Sequence, residues 1–115
     1  MIHPTPNVPH IFKLVTGEDV IAILLQSGSM RITPRDGEGS RFMDDGYLLA
    51  HPYTFDNEYV RFVRFLRGTK PSVSTQFISE QFVIYPIMND WIDPVLLEKY
   101  LYLVQSLEAT VHAEV

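Results

Sequence analysis

Three arginines recur at intervals of three in residues 59–70, which read YVRFVRFLRGTK. In a β-strand, this spacing would place Arg61 and Arg67 on one face and Arg64 on the other. Cations beside aromatic rings are typical of surfaces that bind single-stranded nucleic acid, because the cations contact phosphates and the rings stack on bases. The alternative is a half-buried strand whose arginines are solvated or paired with carboxylates. The second reading is favoured, because this acidic chain supplies carboxylates that can pair with the arginines.

Glu18 and Asp19 are the most conspicuous adjacent carboxylates, in residues 13–24, which read KLVTGEDVIAIL. Acid–base catalysis by two carboxylates requires them to converge on one substrate. Adjacent residues of a strand point to opposite faces, and in a tight turn both would meet water. We therefore interpret TGED as a turn between two strands. The acidic residues beside glycine at 36–38 and 44–46 are interpreted as loop residues for the same reason.

Other catalytic and metal-binding patterns are missing from the sequence. The chain has four histidines, none spaced four residues from another, and no cysteine, which excludes thiolate metal sites, disulfides and cysteine nucleophiles. No phosphate-binding glycine loop, dinucleotide motif or nucleophile elbow is present. We expect no catalytic residue, no metal and no cofactor.

The length and charge of the chain narrow its class further. At 115 residues, the chain is expected to form one domain. Its net charge of −5 disfavours wholesale electrostatic binding of phosphate backbones, although a local basic patch is compatible with it. The N-terminus lacks the pattern of a secretory signal, and no apolar run reaches the ~20 residues that a membrane span needs. We expect a cytoplasmic protein that does not enter a membrane.

The pattern of apolar residues predicts a mainly β fold. Residues 1–10, with three prolines, are predicted to form an extended arm before a single domain at 11–108, and 109–115 to form a tail. The run VIAILL at 20–25 is apolar on both faces, which favours a closed barrel or a subunit interface. The predicted strands are residues 11–15, 20–25, 47–55, 58–66 and 73–85, the last as one strand or two short ones, with a long loop or ragged hairpin at 27–46.

The C-terminal segment has the pattern of a helix at 93–108. Asp93 is a good N-cap, and Pro94 suits the first helical position because its missing N–H has no partner to lose there. Leu97, Tyr100 and Val104 recur at helical spacing. Trp91, just before the cap, is predicted to seal this helix onto the sheet.

Two short segments carry a resemblance to a known family. GEDVIAIL at 17–24 resembles the first Sm motif, with a small residue at Ala22 where the strand bends, and FISEQFVIY at 77–85 resembles the second. KLVTGEDVIA, YLLAHP at 47–52, the late strand pair and the C-terminal helix look like small Sm-like proteins of marine phages and ocean metagenomes. The resemblance spans about residues 11–103. It implies a strongly bent five-stranded antiparallel sheet that closes into a small barrel and pairs edge to edge into homo-oligomeric rings.

The resemblance also implies a site for nucleic acid, with departures from the family pattern. Asp45 stands where the family has an acid, but Leu49 replaces its asparagine, and Ser79 with Glu80 replaces an arginine–glycine pair. Glu80 would repel phosphate. The helix follows the sheet, whereas typical Sm proteins have a helix before it. The candidate contacts are Tyr47 for base stacking, Arg61, Arg64 and Arg67 for phosphate, and Ser79 and Gln81 as polar groups at the pore-side turn.

Two functions follow as hypotheses. The first is an Sm-like ring of phage origin, acting in the host cytoplasm, that binds single-stranded RNA or DNA or takes part in RNA processing. The second is a structural or assembly module that binds protein partners through the 27–46 segment or the helix, without nucleic acid. The acidic balance of the chain favours the second hypothesis, and the family resemblance favours the first.

Overall fold

Antiparallel strands make up most of the computed structural model, which describes residues 6–32, 42–65 and 74–113. Strands and one long helix follow one another in the order expected from the sequence. Two single-turn 3₁₀ helices, Glu80–Phe82 and Asn89–Trp91, lie between the last elements. The elements are β1 (Pro9–Leu14), β2 (Asp19–Ile32), β3 (Phe42–Phe55), β4 (Phe62–Arg64), β5 (Thr75–Ser79), β6 (Val83–Ile87) and α1 (Pro94–Ala113).

The six strands of the described residues belong to one sheet. Five of them follow the order β4-β3-β2-β1-β6, and β5 pairs with β3 outside this order. The strand β3 is long enough to pair on one side with both β4 and β5, through residues 53–55 and 46–50 respectively. β5 lies on β3 and β6 lies on β1, although only the 3₁₀ turn Glu80–Phe82 joins them. The sheet must therefore curl so that its two sides approach each other. Among the described residues no pairing joins β5 to β6, so the sheet is not closed.

The turn predicted at TGED is confirmed. The Gly17 amide donates to the Leu14 carbonyl oxygen at 2.9 Å, and the Leu14 amide donates to the Glu18 carbonyl oxygen at 2.9 Å. Gly17 has φ of 92°, a conformation that glycine adopts without steric cost. Asp19 begins β2 and forms an ion pair with Lys13, with 3.1 Å between Nζ and Oδ1. The two carboxylates therefore do not form a pair.

The strand β2 is buried on both faces, as its apolar pattern predicted. Val20, Ala22 and Leu24 pack inside the curled sheet, together with residues such as Phe12 and Leu49. Ile21 faces the helix instead, in a second apolar cluster. The expectation fails at Leu25, which is 37% exposed, because the pairing with β3 shifts register between residues 24 and 26.

The helix α1 covers the outer face of the sheet. The Val95 amide donates to the Asp93 carboxylate at 3.0 Å, which confirms Asp93 as the N-cap, and α1 runs to Ala113 rather than to 108. Leu96, Tyr100 and Val104 are buried at intervals of four and form the stripe that packs on the sheet. The helix therefore depends on the sheet for burial of its apolar face.

Several strand boundaries differ from the predicted ones, because the strands pair over more residues than the local sequence patterns indicate. Pro9 and His10 belong to β1, where His10 pairs with Ala22, so the predicted arm at 1–10 is too long. Much of the segment at 27–46, predicted as a long loop or a ragged hairpin, is a two-stranded ribbon of β2 and β3, with Gly28 paired to Gly46. The predicted strand at 73–85 is two short strands separated by a 3₁₀ turn, which was one of the two predicted forms.

The predicted strand at 58–66 is mostly a turn. The Asp56 carboxylate accepts hydrogen bonds from the amides of Val60 at 2.8 Å and Arg61 at 3.0 Å, and these bonds hold the pKa of Asp56 below its usual value. Tyr59 adopts φ of 57° in the same turn. Of the described residues 58–65, only Phe62–Arg64 form a strand, because the aspartate satisfies backbone groups that a longer strand would have used.

Candidate functional site

A cleft of about 400 Å³ opens between the end of β1, the start of β3, and β5 with the 3₁₀ turn that follows it. We call it the acidic cleft. Its walls are mainly apolar, but polar side chains from three separate segments reach it. The apolar lining residues are Leu14, Phe65, Phe77, Ile78 and Phe82. The polar ones are Thr16, Glu18, Asp44, Gln76 and Ser79.

The approach of β5 to β3 depends on Gly46. A Cβ atom at Gly46 would collide with the carbonyl oxygen of Ile78 and lie 2.7 Å from Cζ of Phe77, which is closer than real Cβ contacts come. Because glycine has no side chain, β5 can pack directly against β3 and present Gln76 and Phe77 to the cleft. Gly46 thus determines how closely β5 approaches β3 on this side of the cleft.

The charge around the cleft is negative. Glu18 and Asp44 both line it, although one lies in the turn after β1 and the other on β3. Glu80, in the adjoining 3₁₀ turn, raises the pKa of Tyr47, although burial of that ring is the larger cause. These carboxylates favour a cation and disfavour phosphate.

Gln76 supplies a polar group in the wall. The side-chain oxygen of Gln76 is buried and accepts no hydrogen bond from the residues that the structure describes. A buried carbonyl without a donor is destabilising, by about 1–3 kcal/mol in typical cases. A ligand with an N–H or O–H group would relieve this cost.

The candidate nucleic-acid contacts fall into two separate groups. Tyr47 lies on β3 with its ring 5.1 Å from that of Phe12, and Ser79 and Gln81 lie beside it around the end of β5. Ser79 caps the 3₁₀ turn, because its hydroxyl accepts from the Gln81 amide at 3.4 Å. These side chains are already engaged in local packing or capping, except for Gln81, which is exposed.

The arginines lie elsewhere. Arg61 is exposed in the turn before β4, and Arg64 is half-buried on β4, paired in register with Tyr53. Tyr53 is six residues from Tyr47 along β3, but this stretch is not uniformly extended, because His51 between them has φ of 51°. Phe65, next to Arg64, packs against the same apolar cluster as Tyr47. Arg67 lies outside the described residues.

Exposed apolar side chains lie on both faces of β6 and at the end of the 3₁₀ turn before it. Phe82, Ile84 and Tyr85 are 57%, 61% and 50% exposed, although each is large and apolar. We call these three residues the β6 edge. Trp91, predicted to seal the helix, is instead 82% exposed, because it lies in a 3₁₀ turn that ends before α1 begins.

Comparison of the chain with models of protein families, with curated proteins and with solved structures gives no match. The described residues contain no cluster of three or more histidine, cysteine or acidic side chains that could hold a metal ion. Over the same ranges, no helix has both the length and the apolar character needed to cross a membrane. Three features of the described residues bear on function: the acidic cleft, the β6 edge and the arginine-bearing turn before β4.

Sequence reasoning found neither the acidic cleft nor the β6 edge. The residues of the cleft come from positions 14 to 82, so no local motif could indicate them. The β6 edge did leave a signal, because FVIY at 82–85 is apolar on both faces of a strand. That pattern predicts a strand but does not say whether its second edge is covered.

Proposed function

We propose that this protein is a self-assembling module whose curled, Sm-like sheet associates through its edges into a homo-oligomeric ring. The observation that carries the proposal is the β6 edge. The strand β6 pairs with β1 on one side, and on the other side no strand of the described residues covers it. An uncovered edge strand with large apolar side chains is a template for pairing with another chain.

The position of β5 supports a head-to-tail arrangement. β5 pairs with β3 alone among the described strands, so it offers a second uncovered edge on the other side of the sheet. When two different edges of one subunit pair with each other between subunits, each addition leaves a new free edge. Such an interface is heterologous, and it produces a closed ring when the rotation between subunits closes. Because the sheet curls, its two free edges point in different directions, and pairing them rotates each subunit relative to the next.

The apolar contribution of the β6 edge can be approximated. Fully burying a large apolar side chain stabilises by about 1.5–3 kcal/mol, so burying the exposed halves of three gives roughly 3 kcal/mol for each interface. This amount is too small for stable association alone. Main-chain hydrogen bonds between paired strands must add to it, and a ring gains further because every subunit makes two interfaces.

Substitution of Ile84 by lysine tests the proposal. Ile84→Lys places a charge in the middle of the β6 edge without touching the buried core, so we expect the assembly to dissociate to monomers of unchanged fold. Val60→Lys is the matched control, because Val60 is 69% exposed in the turn before β4, away from β6. Sedimentation velocity at increasing protein concentration measures the masses.

Two results would overturn the assembly proposal. One is a wild-type protein that stays monomeric at every concentration. The other is equal dissociation by Val60→Lys and Ile84→Lys, since the interface would then not be specific to β6.

Binding of single-stranded nucleic acid is the second candidate function. Its supporting observation is Arg61, exposed beside the exposed Val60 and followed two residues later by the exposed Val63. Titration of a labelled U-rich strand at several salt concentrations tests this function. Binding that weakens with salt and with Arg61→Ala, but not with Lys99→Ala on the helix, is the expected result. Absence of binding at low salt removes this candidate and leaves the assembly module.

A further inference from the structure

We propose that the acidic cleft binds a small organic ammonium ion that has an apolar or aromatic body and at least one N–H donor. The proposal concerns a site within one chain. Because Phe82 and β5 also belong to the edges of the proposed ring, the test includes a variant that disrupts the β6 edge. Three independent properties of the cleft support it: apolar walls, two carboxylates and a buried acceptor without a donor.

The walls favour an apolar body of limited size. Three phenylalanines, Phe65, Phe77 and Phe82, line the cleft with Leu14 and Ile78. Its volume of about 400 Å³ lies in the lower part of the range for small-molecule sites, roughly 300–1,000 Å³. Aromatic faces also attract cations through their quadrupole. A compact ammonium ion with a ring or short alkyl chain fits these walls.

The carboxylates select the charge of the ligand. Glu18 and Asp44 line the same cleft, and among its described lining residues no lysine, arginine or histidine offsets them. An anion would be repelled by both carboxylates. A neutral ligand would gain nothing from them, whereas a cation would be attracted by both. The charge of the cleft thus distinguishes ligands that its apolar walls alone would accept equally.

Gln76 favours a ligand that carries a hydrogen-bond donor. Gln76 lines the cleft, and its side-chain oxygen is buried beneath the wall without a hydrogen bond from the described residues. An N–H group of the ligand supplies the missing partner once the Gln76 amide rotates toward the cleft. A quaternary ammonium ion has the charge but no N–H and leaves this acceptor unsatisfied. A primary or secondary ammonium satisfies the carboxylates and Gln76 together.

Three related probes separate these contributions. Phenethylammonium has the charge and the N–H, phenethyltrimethylammonium has only the charge, and 2-phenylethanol is neutral. We expect titration of the isotopically labelled full-length chain, followed by NMR, to shift amide resonances at 14–18 and 76–79. The expected order of affinity is phenethylammonium first, then the quaternary ion, then the alcohol. Loss of the N–H contact should weaken binding about tenfold.

Variants of the lining residues test the assignment. Glu18→Gln and Asp44→Asn together should weaken phenethylammonium binding about tenfold without changing the affinity for 2-phenylethanol. Gln76→Glu should tighten binding of the ammonium ion, a gain that misfolding cannot imitate. Glu58→Gln, an exposed acid in the turn before β4, is the control and should change neither affinity.

Three results would overturn the proposal: equal affinity for the ammonium ion and the alcohol, shifts confined to another surface, or no shifts with any probe. Another surface is available for comparison, because a wider groove lies between the turn before β4 and α1, lined by residues such as Val60, Val95 and Tyr102. The titration is repeated with Ile84→Lys. Binding by this variant supports the cleft whatever its oligomeric state, so a failure of the assembly proposal is distinguishable from a failure of this one.

Discussion

Replacing Tyr100 by phenylalanine tests how the helix is joined to the sheet. The Tyr100 ring is fully buried, and its hydroxyl donates to the carbonyl oxygen of His51 at 2.7 Å, with the Ala50 carbonyl oxygen 3.4 Å away. Tyr100→Phe keeps the ring and removes only this donor. The substitution therefore isolates one polar contact in an otherwise apolar interface.

The expected loss of stability follows from the His51 carbonyl oxygen, which loses its hydrogen-bond donor. Removing the donor leaves a carbonyl oxygen without its partner, and such a loss costs about 1–3 kcal/mol when the acceptor is buried. Because His51 is only half-buried, we expect about 1–2 kcal/mol. For a domain of this size, each kcal/mol lowers Tm by about 4 °C.

The pH dependence gives a second, independent signature. Burial, followed by the nearby Tyr53, raises the pKa of Tyr100 well above its usual range. The unfolded chain loses this proton near pH 10, whereas the native state keeps it, so the stabilisation is complete below about pH 10 and decreases above it. The wild type should therefore lose about 1.4 kcal/mol from Tyr100 by pH 11, a loss that Tyr100→Phe cannot show. The stability difference between the two proteins should nearly vanish there.

Urea denaturation at pH 8 and pH 11 measures both quantities. Tyr102→Phe is the matched control, because it makes the same chemical change on the same helix at a side chain that is 74% exposed. We expect the control to lie within about 0.5 kcal/mol of wild type at pH 8. Equal effects of the two substitutions at pH 8, or a Tyr100→Phe difference that does not change with pH, would refute the reasoning.

Two further predictions concern local geometry. Gly46→Ala should destabilise by about 1–3 kcal/mol in urea denaturation, because the new methyl group collides with the Ile78 carbonyl oxygen, whereas Asp45→Ala beside it should change little; equal effects would contradict the close approach of β5 to β3. Asp93→Ala should lower stability by about 1 kcal/mol, because the Val95 amide loses its acceptor, and Asp93→Ser should restore most of it. Thermal unfolding followed by helical circular dichroism measures this effect, and no difference between the alanine and serine variants would argue against the cap.

Elements with local causes could be predicted from the sequence. The turn at Gly17 requires a residue that tolerates positive φ, and the helix start at Asp93 requires a side chain that accepts from a backbone amide two residues later. Each requirement is met by residues within a few positions of one another. The same holds for the strand β2, whose two apolar faces indicated burial on both sides before any partner was known.

Predictions failed where a short-range hydrogen bond or turn competed with the apolar pattern. The apolar run around Arg61 has the pattern of a strand, but the Asp56 carboxylate accepts from its backbone amides and holds a turn. Trp91 has the size of a sealing residue, but the 3₁₀ turn leaves it in solvent. The residue types allow both outcomes in each case, and the backbone geometry of the folded chain decides between them.

By itself, the sequence determined a mainly β chain with a capped C-terminal helix, because alternation, turn residues and capping are properties of neighbouring residues. Only the tertiary structure decided which side chains share a site. The curl of the sheet brings Glu18, Asp44 and Gln76 to one cleft and leaves β6 at an edge of the described sheet. Those relations depend on strand register and sheet curvature, which sum over the whole chain and are encoded by no short segment of it.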